Sequence, residues 1–438
     1  MVQWTGEAEI GHPLWWEDAA PRVSEGALPT NCDLLVIGAG YTGLSAAIAA
    51  HDAGAKVCVI DAGVPGIGAS SRNGGMVGAH PRISWDILKS RFGPAVADQI
   101  FAEASNALEW AQNLISTEDV QCDYQTTGRI QLAWTHAQFE NQKKLVSKIK
   151  AKSKVSVDLV ERSDLYKEVA TDRYFGAMLF PEHGSLQPAK YHQGLLAAVE
   201  RRGVPVVSNC AAIGWEKDNG SFAVQTKHGP IKAEKIVLAT NGYTPKAFRW
   251  HQRRVFPLPS YLIATEELSS NLIGEIAPGR RMMVETRARH SYFRISPDGK
   301  RIVWGGRAAM APFPLDQAAV RLKATMIEVW PQLQDVKLSH VWTGNTGYSF
   351  THMPHVGSEG GLHYAMGFSG SGTVLAPYLG AKAAYQALGD PRGETGYSAT
   401  ELTTSPLHLF PKPYFLQAAD LWYRHWVDRW ETRKGRWP

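Results

Sequence analysis

The stretch from Asp33 to Gly43 reads DLLVIGAGYTG. Four apolar residues, Leu34 to Ile37, run directly into Gly38, Gly40 and Gly43. A short apolar run that meets a glycine cluster predicts a buried strand turning into a helix. Gly38 permits the tight turn, Gly40 lets backbone approach a pyrophosphate, and Gly43 lets the helix pack closely on the strand. Tyr41 and Thr42 stand at the helix start, where free N–H groups and the positive dipole end attract anions. An alanine-rich helix, Leu44 to Ala53, ends at Gly54. A second apolar strand, Lys56 to Ile60, closes on Asp61 and Ala62. Asp61 stands where a ribose hydroxyl would be held. The unit, about residues 31 to 62, predicts a dinucleotide site. A glycine-rich turn in an ordinary α/β protein is the competing reading.

Composition sets the bounds. A chain of 438 residues can bury a large core and predicts two domains. Hydrophobic content of 44% and charge of 20% are ordinary for a globular protein. A net charge of +5 points to neither nucleic acid nor an acidic partner. The cysteines Cys32, Cys58, Cys122 and Cys210 form no CxxC pattern, so neither a disulfide framework nor a zinc site is expected. A reducing, cytoplasmic compartment fits them best. The first 30 residues carry Glu7, Glu9, Glu17 and Asp18 without an apolar core, unlike a secretory signal. No stretch approaches 18 apolar residues, so no transmembrane helix is expected.

Residues 1 to 30 read as an irregular arm packed on the surface, with Trp4, Trp15 and Trp16 along it. After the dinucleotide unit comes GIGASSRNGGMVGAH, Gly66 to His80. Its small residues predict a loop whose backbone lies close to a ligand, with Arg72 and Asn73 as its polar groups. Helices follow at Ala95 to Asn113 and Gln138 to Ala151, with a hairpin between them at Cys122 to Trp134. Residues 155 to 170 read as a charged connector. Gly203 to Pro245 predicts a run of strands, the last breaking at Thr240, Asn241 and Gly242. Phe293 to Ile295 and Arg301 to Trp304 flank a Pro-Asp-Gly turn, which predicts a hairpin. A helix follows over Leu315 to Trp330. Gly360 to Leu388 reads as a short strand, a glycine turn and a long helix. An irregular tail from Gly389 ends in a Trp-rich helix, about Tyr414 to Thr432.

The glycine turn is GFSGSG: Gly367, Phe368, Ser369, Gly370, Ser371 and Gly372, followed by Thr373. It aims a second helix start at a ligand. Reduced flavin is negative around N1 and the C2 carbonyl, and a helix N-terminus there stabilises that charge. Two such motifs favour a flavin over NAD, which needs one. A simple glycine-capped helix start is the alternative.

GASSRNGG, KEVATDRYFGAM from Lys167, WTGNTGYSFTHMPHVG and HYAMGFSGSG together resemble the D-amino-acid oxidase and glycine oxidase superfamily, and within it the gamma-glutamylputrescine oxidase group. The likeness runs from about residue 14 to 430. It implies an α/β, two-domain flavoprotein. A Rossmann-like FAD-binding domain of the glutathione-reductase type would take residues 1–85, 156–250 and 336–390. An antiparallel-sheet substrate domain would take 86–155 and 251–335, leaving 391–438 as the tail. The resemblance places Ala69, Ser70, Ser71, Arg72, Asn73, Gly74, Gly75 and Met76 beside the flavin. It returns Thr240, Asn241 and Gly242 to the cofactor and passes Ala212 by the adenine. It implies hydride transfer from a C–N carbon to flavin N5, imine hydrolysis, and reoxidation by O2 to H2O2. Covalent relatives use a late cysteine; none follows Cys210, so non-covalent FAD is expected. Many relatives have GFSGHG where this chain has Ser371.

Arg307, just past the strand Ile302 to Gly305, is a candidate for carboxylate binding and oxygen activation, with a plain surface arginine as the alternative. Tyr292 and Arg294 share a strand face. Tyr292, Trp304, Trp342 and Tyr348 are candidate aromatic walls for a desolvated amine, with plain core packing as the alternative. His352 is a candidate general base, with a structural pairing with His355 as the alternative. At the C-terminus Trp422, Trp426 and Trp430 recur every four residues beside Arg424, Arg429, Arg433, Lys434 and Arg436. The helix is expected to dock on its own protein or a partner subunit, with a membrane surface as the lesser alternative. The partners implied are a small amine and O2, and the oligomeric state is not legible. Two further functions compete: an amine dehydrogenase passing electrons to a quinone at a membrane, and a non-catalytic flavin-binding protein.

Overall fold

The computed structural model describes residues 2–78, 80, 83–408 and 413–434. Ala79 of the glycine-rich loop and Arg436 of the basic stripe lie outside them.

The opening motif folds as strand Asn31–Ile37, helix Tyr41–Asp52 and strand Val57–Ile60. The two strands pair in parallel, Leu34 against Val57 through Ile37 against Ile60. On the other side of Asn31–Ile37 runs Gly229–Leu238, also parallel, and Leu362–Met366 extends the parallel run. Their sequences are continuously apolar because both sheet faces are covered. The helices Tyr41–Asp52 and Gly372–Leu388 pack against each other over one face. At Gly380 a β-carbon would lie 2.2 Å from the Thr42 carbonyl, so the two helices touch backbone to backbone. This brings both glycine-rich helix starts to the same end of the sheet.

The second sheet has nine strands. It runs from Trp4–Ile10 through Leu338–Ser349, Val255–Thr265, Ile302–Gly306, Ser291–Ile295, Met282–Glu285, Arg129–Leu132 and Gly176–Phe180 to Asp158–Glu161. The predicted hairpin is present, with Ile295 opposite Ile302. Leu262, Gly305, Tyr292, Val284 and Gln131 stand in one cross-strand row. Period-two alternation puts Phe293 and Trp304 on the opposite face. There they stack at 3.9 Å and meet Trp330, next to helix Leu315–Val329.

Three local readings are corrected. Cys122 to Trp134 is not a hairpin: Arg129–Leu132 pairs with Met282–Glu285 and Gly176–Phe180, both remote in sequence. The charged connector contains an edge strand, Asp158–Glu161. The arm is not irregular throughout, because Trp4–Ile10 pairs in parallel with Leu338–Ser349. By sheet membership Trp4–Ile10, Asp158–Glu161, Gly176–Phe180 and Leu338–Ser349 belong to the nine-stranded sheet, although their segments read with the nucleotide unit. Long-range pairing decides this, and local pattern does not encode it.

All the cysteines are buried and free. No described helix is long and apolar enough to cross a membrane, and no cluster of metal-ligating side chains occurs among the described residues.

Candidate functional site

A cavity of about 700 Å³ lies between the ends of the parallel strands and the Leu262–Tyr292–Val284–Gln131 face of the large sheet. Its nucleotide end is shaped by glycine. Gly38 has φ +108°, and a β-carbon there would sit 3.0 Å from the Ala239 carbonyl. At Gly43 a β-carbon would lie 1.8 Å from the Gly38 carbonyl, so no other residue fits the strand–helix turn. Gly40 leaves room for the Ser70 hydroxyl, which would be 2.9 Å from a β-carbon and accepts a hydrogen bond from the Tyr41 N–H. The room at Gly40 is thus filled by the neighbouring loop.

Asp61 accepts the Ala39 N–H on Oδ2 (2.8 Å) and the Gly63 N–H on Oδ1 (2.9 Å). Burial raises its pKa against the effect of these two bonds. Each oxygen retains acceptor capacity for a ribose hydroxyl. Behind the turn, buried His192 donates from Nε2 to the Ala39 carbonyl at 2.7 Å. Burial lowers its pKa to about 4, so the ring is neutral.

Helix starts at Tyr41 and Gly372 both border the cavity. Neither has a side-chain cap or an acidic first turn. Helix-start N–H groups need acceptors, and an anionic ligand supplies them. With Asp61 and Ala212 at one end and Tyr292 at the other, the cavity fits an FAD-sized dinucleotide.

The Gly66–Gly78 loop is held from outside the cavity by indoles. Trp16 donates to the Ser71 hydroxyl, Trp342 to the Arg72 carbonyl and Trp15 to the Asn73 carbonyl, each at 2.8 Å. The arm therefore docks on the glycine-rich loop itself. Arg72 donates to the Ile67 and Thr343 carbonyls and stacks over Trp16 at 4.2 Å. Asn73 ties the loop to itself through Ala69, Ser70 and Gly75.

Gly38, Gly40, Tyr41, Thr42, Asp61, Ala62, Ala69, Ser70, Arg72, Asn73, Gly74, Met76, Ala212, Thr240, Asn241, Phe368, Gly370, Ser371, Gly372 and Thr373 line the cavity. Gly43, Ser71, Gly75, Gly242, Gly367 and Ser369 do not and instead shape its supports. Ser71 bonds the Gly66 carbonyl, and Gly75 faces Leu186 and Arg294. Gly242 packs on Gly347, Gly367 donates to Asn241 Oδ1 (2.9 Å), and Ser369 bonds the Gly367 carbonyl.

At the opposite end of the cavity, Tyr292 lies against Gly74 and Gly305, and its hydroxyl is 2.8 Å from Ser260 Oγ. Burial raises its pKa to about 12. Arg307 donates to the Tyr348 hydroxyl at 2.6 Å and to the Ala288 carbonyl. Both tyrosines line the cavity, whereas Trp304 and Trp342 are core residues. Arg294 is also off the wall: buried, it donates to the Gly75 and Leu186 carbonyls beneath the loop. His352 is not on the cavity wall; it meets Tyr348 edge-on at 5.8 Å. His355 is bound to Thr351 and Thr400, and burial lowers its pKa to about 4.

Sequence reasoning missed Ser260, Arg129, Glu285, Arg287 and His290, all on the wall. Glu285 accepts from Tyr174, Arg287 and the Ser291 N–H, so its charge is committed. Arg287 stacks on Trp134 at 3.7 Å. Arg129 pairs with His80 at 2.8 Å. Arg287 is itself paired with Glu285 and Glu328, whereas Arg307 bonds the neutral Tyr348 hydroxyl and Ala288 carbonyl. The run of charges just after apolar Met282 to Val284 was the available signal for Glu285 and Arg287.

A model of the family described as FAD dependent oxidoreductase (DAO) matches residues 33–386. Gamma-glutamylputrescine oxidoreductase of Escherichia coli (strain K12) is 28% identical, over 80% of this chain and 82% of that protein. Glycine oxidase of Bacillus licheniformis is 24% identical, over 82% and 94%. Among solved structures, glycine oxidase from Geobacillus kaustophilus superposes with a TM-score of 0.71 at 17% identity, covering 86% of this chain and 99% of that one. L-proline dehydrogenase from P. horikoshii gives 0.68 at 18% identity, covering 90% and 100%. These structural likenesses show a shared mixed α/β fold.

Proposed function

We propose the function from one premise: the chain belongs to the family of FAD-dependent oxidoreductases and is of the amine and amino-acid oxidase type. The reading is oxidation of a small amine that carries a carboxylate, with FAD held non-covalently. The chemistry FAD supplies is two-electron oxidation of a C–N bond: a hydride leaves carbon for the flavin, the imine is hydrolysed, and O2 is reduced to H2O2.

The observation that supports the substrate class is Arg307 on the wall bonded to neutral oxygens, the Tyr348 hydroxyl and the Ala288 carbonyl, while Arg287 and Glu285 are spent on each other. Arg307, aimed by its hydrogen bond to Tyr348, would take the carboxylate. Tyr292 stays protonated across the working range and serves as a neutral donor beside Ser260. Cations around the site lower the pKa of a bound amine, so it enters as the free base with its lone pair available. No protein base is needed for that step, and His352 enters none. Asp61, the Tyr41 and Gly372 helix starts and the loop pinned by Trp15, Trp16 and Trp342 would hold the cofactor in register with the sheet face.

Anaerobic titration of the yellow protein with an amine panel tests this reading. Carboxylate-bearing amines should bleach the flavin, and the same compounds should release H2O2 under air. A flavin that no amine bleaches would overturn it.

A further inference from the structure

The C-terminal helix runs through Phe415–Trp422, a π-helical turn Tyr423–Val427, and Asp428–Lys434. Every acid on it is spent inward. Asp420 accepts the Met310 N–H (2.9 Å) and pairs with Arg424. Asp428 pairs with Arg289. Glu431 accepts the Ala288 N–H at 3.1 Å. Leu416 is buried in the cluster of Phe256, Leu258, Met310 and Tyr348. One face is therefore docked on the loops that carry the substrate end of the cavity.

The other face is of a different kind. Ala418, Trp422, Trp426 and Trp430 form one outward column, with the tryptophans 58%, 66% and 57% exposed. Leu421, His425, Arg429 and Arg433 form a parallel outward column. Trp422 and Trp426 stack at 5.8 Å and stay in the open. Arg429 and Arg433 have no ion-pair partner among the described residues. No acid of the helix is exposed. A π turn underwinds the helix, which counters the drift of four-residue spacing and keeps both columns straight.

We propose that this face lays the protein on an anionic lipid surface. Indole rings seat at the headgroup level, and a flanking row of cations matches negative headgroups. The helix is about 30 Å long at 1.5 Å per residue and lies along the surface; no described helix can cross a bilayer. A second copy docked through this face would bring no acid to Arg429 and Arg433, because none is exposed on it, which disfavours self-pairing.

The test uses the full holoenzyme with vesicles of phosphatidylcholine, alone or mixed with phosphatidylglycerol. Co-sedimentation should appear only with the anionic vesicles and fade at about 0.5 M salt. Arg429→Gln with Arg433→Gln should weaken it roughly 30-fold. Trp422→Gln with Trp426→Gln should abolish it and remove the quenching of emission by brominated lipid. Flavin content and turnover in solution should be unchanged in both variants, which shows that they fold. Absence of binding to anionic vesicles, or equal binding by all variants, overturns the proposal. So does a dimer in solution that the tryptophan pair alone dissolves.

Discussion

At the nucleotide end of the cavity, Gly38 stands at φ +108° and Gly43 has the Gly38 carbonyl where a side chain would be. At the substrate end, Arg307, Tyr348, Tyr292 and Ser260 converge from different strands and loops and bond each other through side chains. Backbone makes one end and side chains make the other. The difference teaches where each end can fail. A backbone cradle tolerates almost no change at Gly38 and Gly43, and losing either should cost the cofactor itself. A side-chain wall can lose a member while the cofactor stays bound, so its losses fall on the substrate alone.

The largest effect should come from Gly43→Ala. Its methyl group would lie 1.8 Å from a backbone oxygen, and relieving that clash costs about 3 kcal/mol or more. Purified variant should contain no FAD and melt well below the parent. A normal flavin content would break the backbone account of this end. Acid should act next. His192 and His355, both on the nucleotide side, titrate at about 4 because they are buried, against about 6.5 unfolded. The unfolded chain then binds more protons as pH falls, so stability present above about pH 6.5 is lost progressively toward pH 4. Thermal melts across that window should fall, and His192→Gln should flatten part of the slope. An unchanged slope in that variant would remove His192 from the account.

Asp61→Ala and Arg307→Met set the two ends directly against each other. Asp61→Ala leaves the Ala39 and Gly63 N–H groups without their acceptor. That costs stability, and it also removes the carboxylate offered to a ribose hydroxyl; with a charge-assisted hydrogen bond worth about 1.5–3 kcal/mol, FAD affinity should drop about 100-fold, while turnover at saturating FAD stays near the parent's. Arg307→Met should do the converse. Flavin content should hold, and kcat/KM for carboxylate-bearing amines should fall about 30-fold, the worth of a charge-assisted hydrogen bond of about 2 kcal/mol. Amines without a carboxylate should be little affected. Equal loss on both substrate classes would show that Arg307 acts on something other than the carboxylate.

What the sequence made legible follows the same division. Glycine at Gly38 and Gly43 is demanded locally, by a positive φ or by a carbonyl within 2 Å, so the motif and its meaning can be read in eleven residues. The glycine turn ahead of Gly372, where Gly367 and Gly370 stand at φ +77° and +96°, and the hairpin around Pro297 to Gly299, where Gly299 stands at φ +79°, are legible for the same reason. The row Leu262, Tyr292, Val284 and Gln131 is not, because it exists only once strands far apart in the chain come into register. Tyr348 and Trp342 sit in one strand and look alike as aromatic walls. Only the folded sheet sends Tyr348 to the cavity and Trp342 into the core under Arg72. His352 misleads in the same way: its position behind Tyr348 depends on a left-handed residue, φ +58°, in a turn that the sequence does not announce.

Trp342 is also where the two ends meet, and the smallest predicted effect sharpens the comparison most. It stands in a strand of the substrate sheet, yet its indole N–H donates to the carbonyl of Arg72 on the cofactor loop. Trp342→Phe keeps the buried ring and deletes that single bond. If the halves were independent, a change in the substrate sheet would leave FAD affinity alone. Because the bond crosses the seam, one hydrogen bond of about 1 kcal/mol should appear as a roughly fivefold weaker FAD. Trp16→Phe, which removes the bond to Ser71 from the arm side, should cost a similar amount. The two bonds hold adjacent residues of one loop, so the double variant should depart from additivity. Strict additivity would mean that arm and sheet grip the loop separately, and that the loop is not a rigid piece of the cradle.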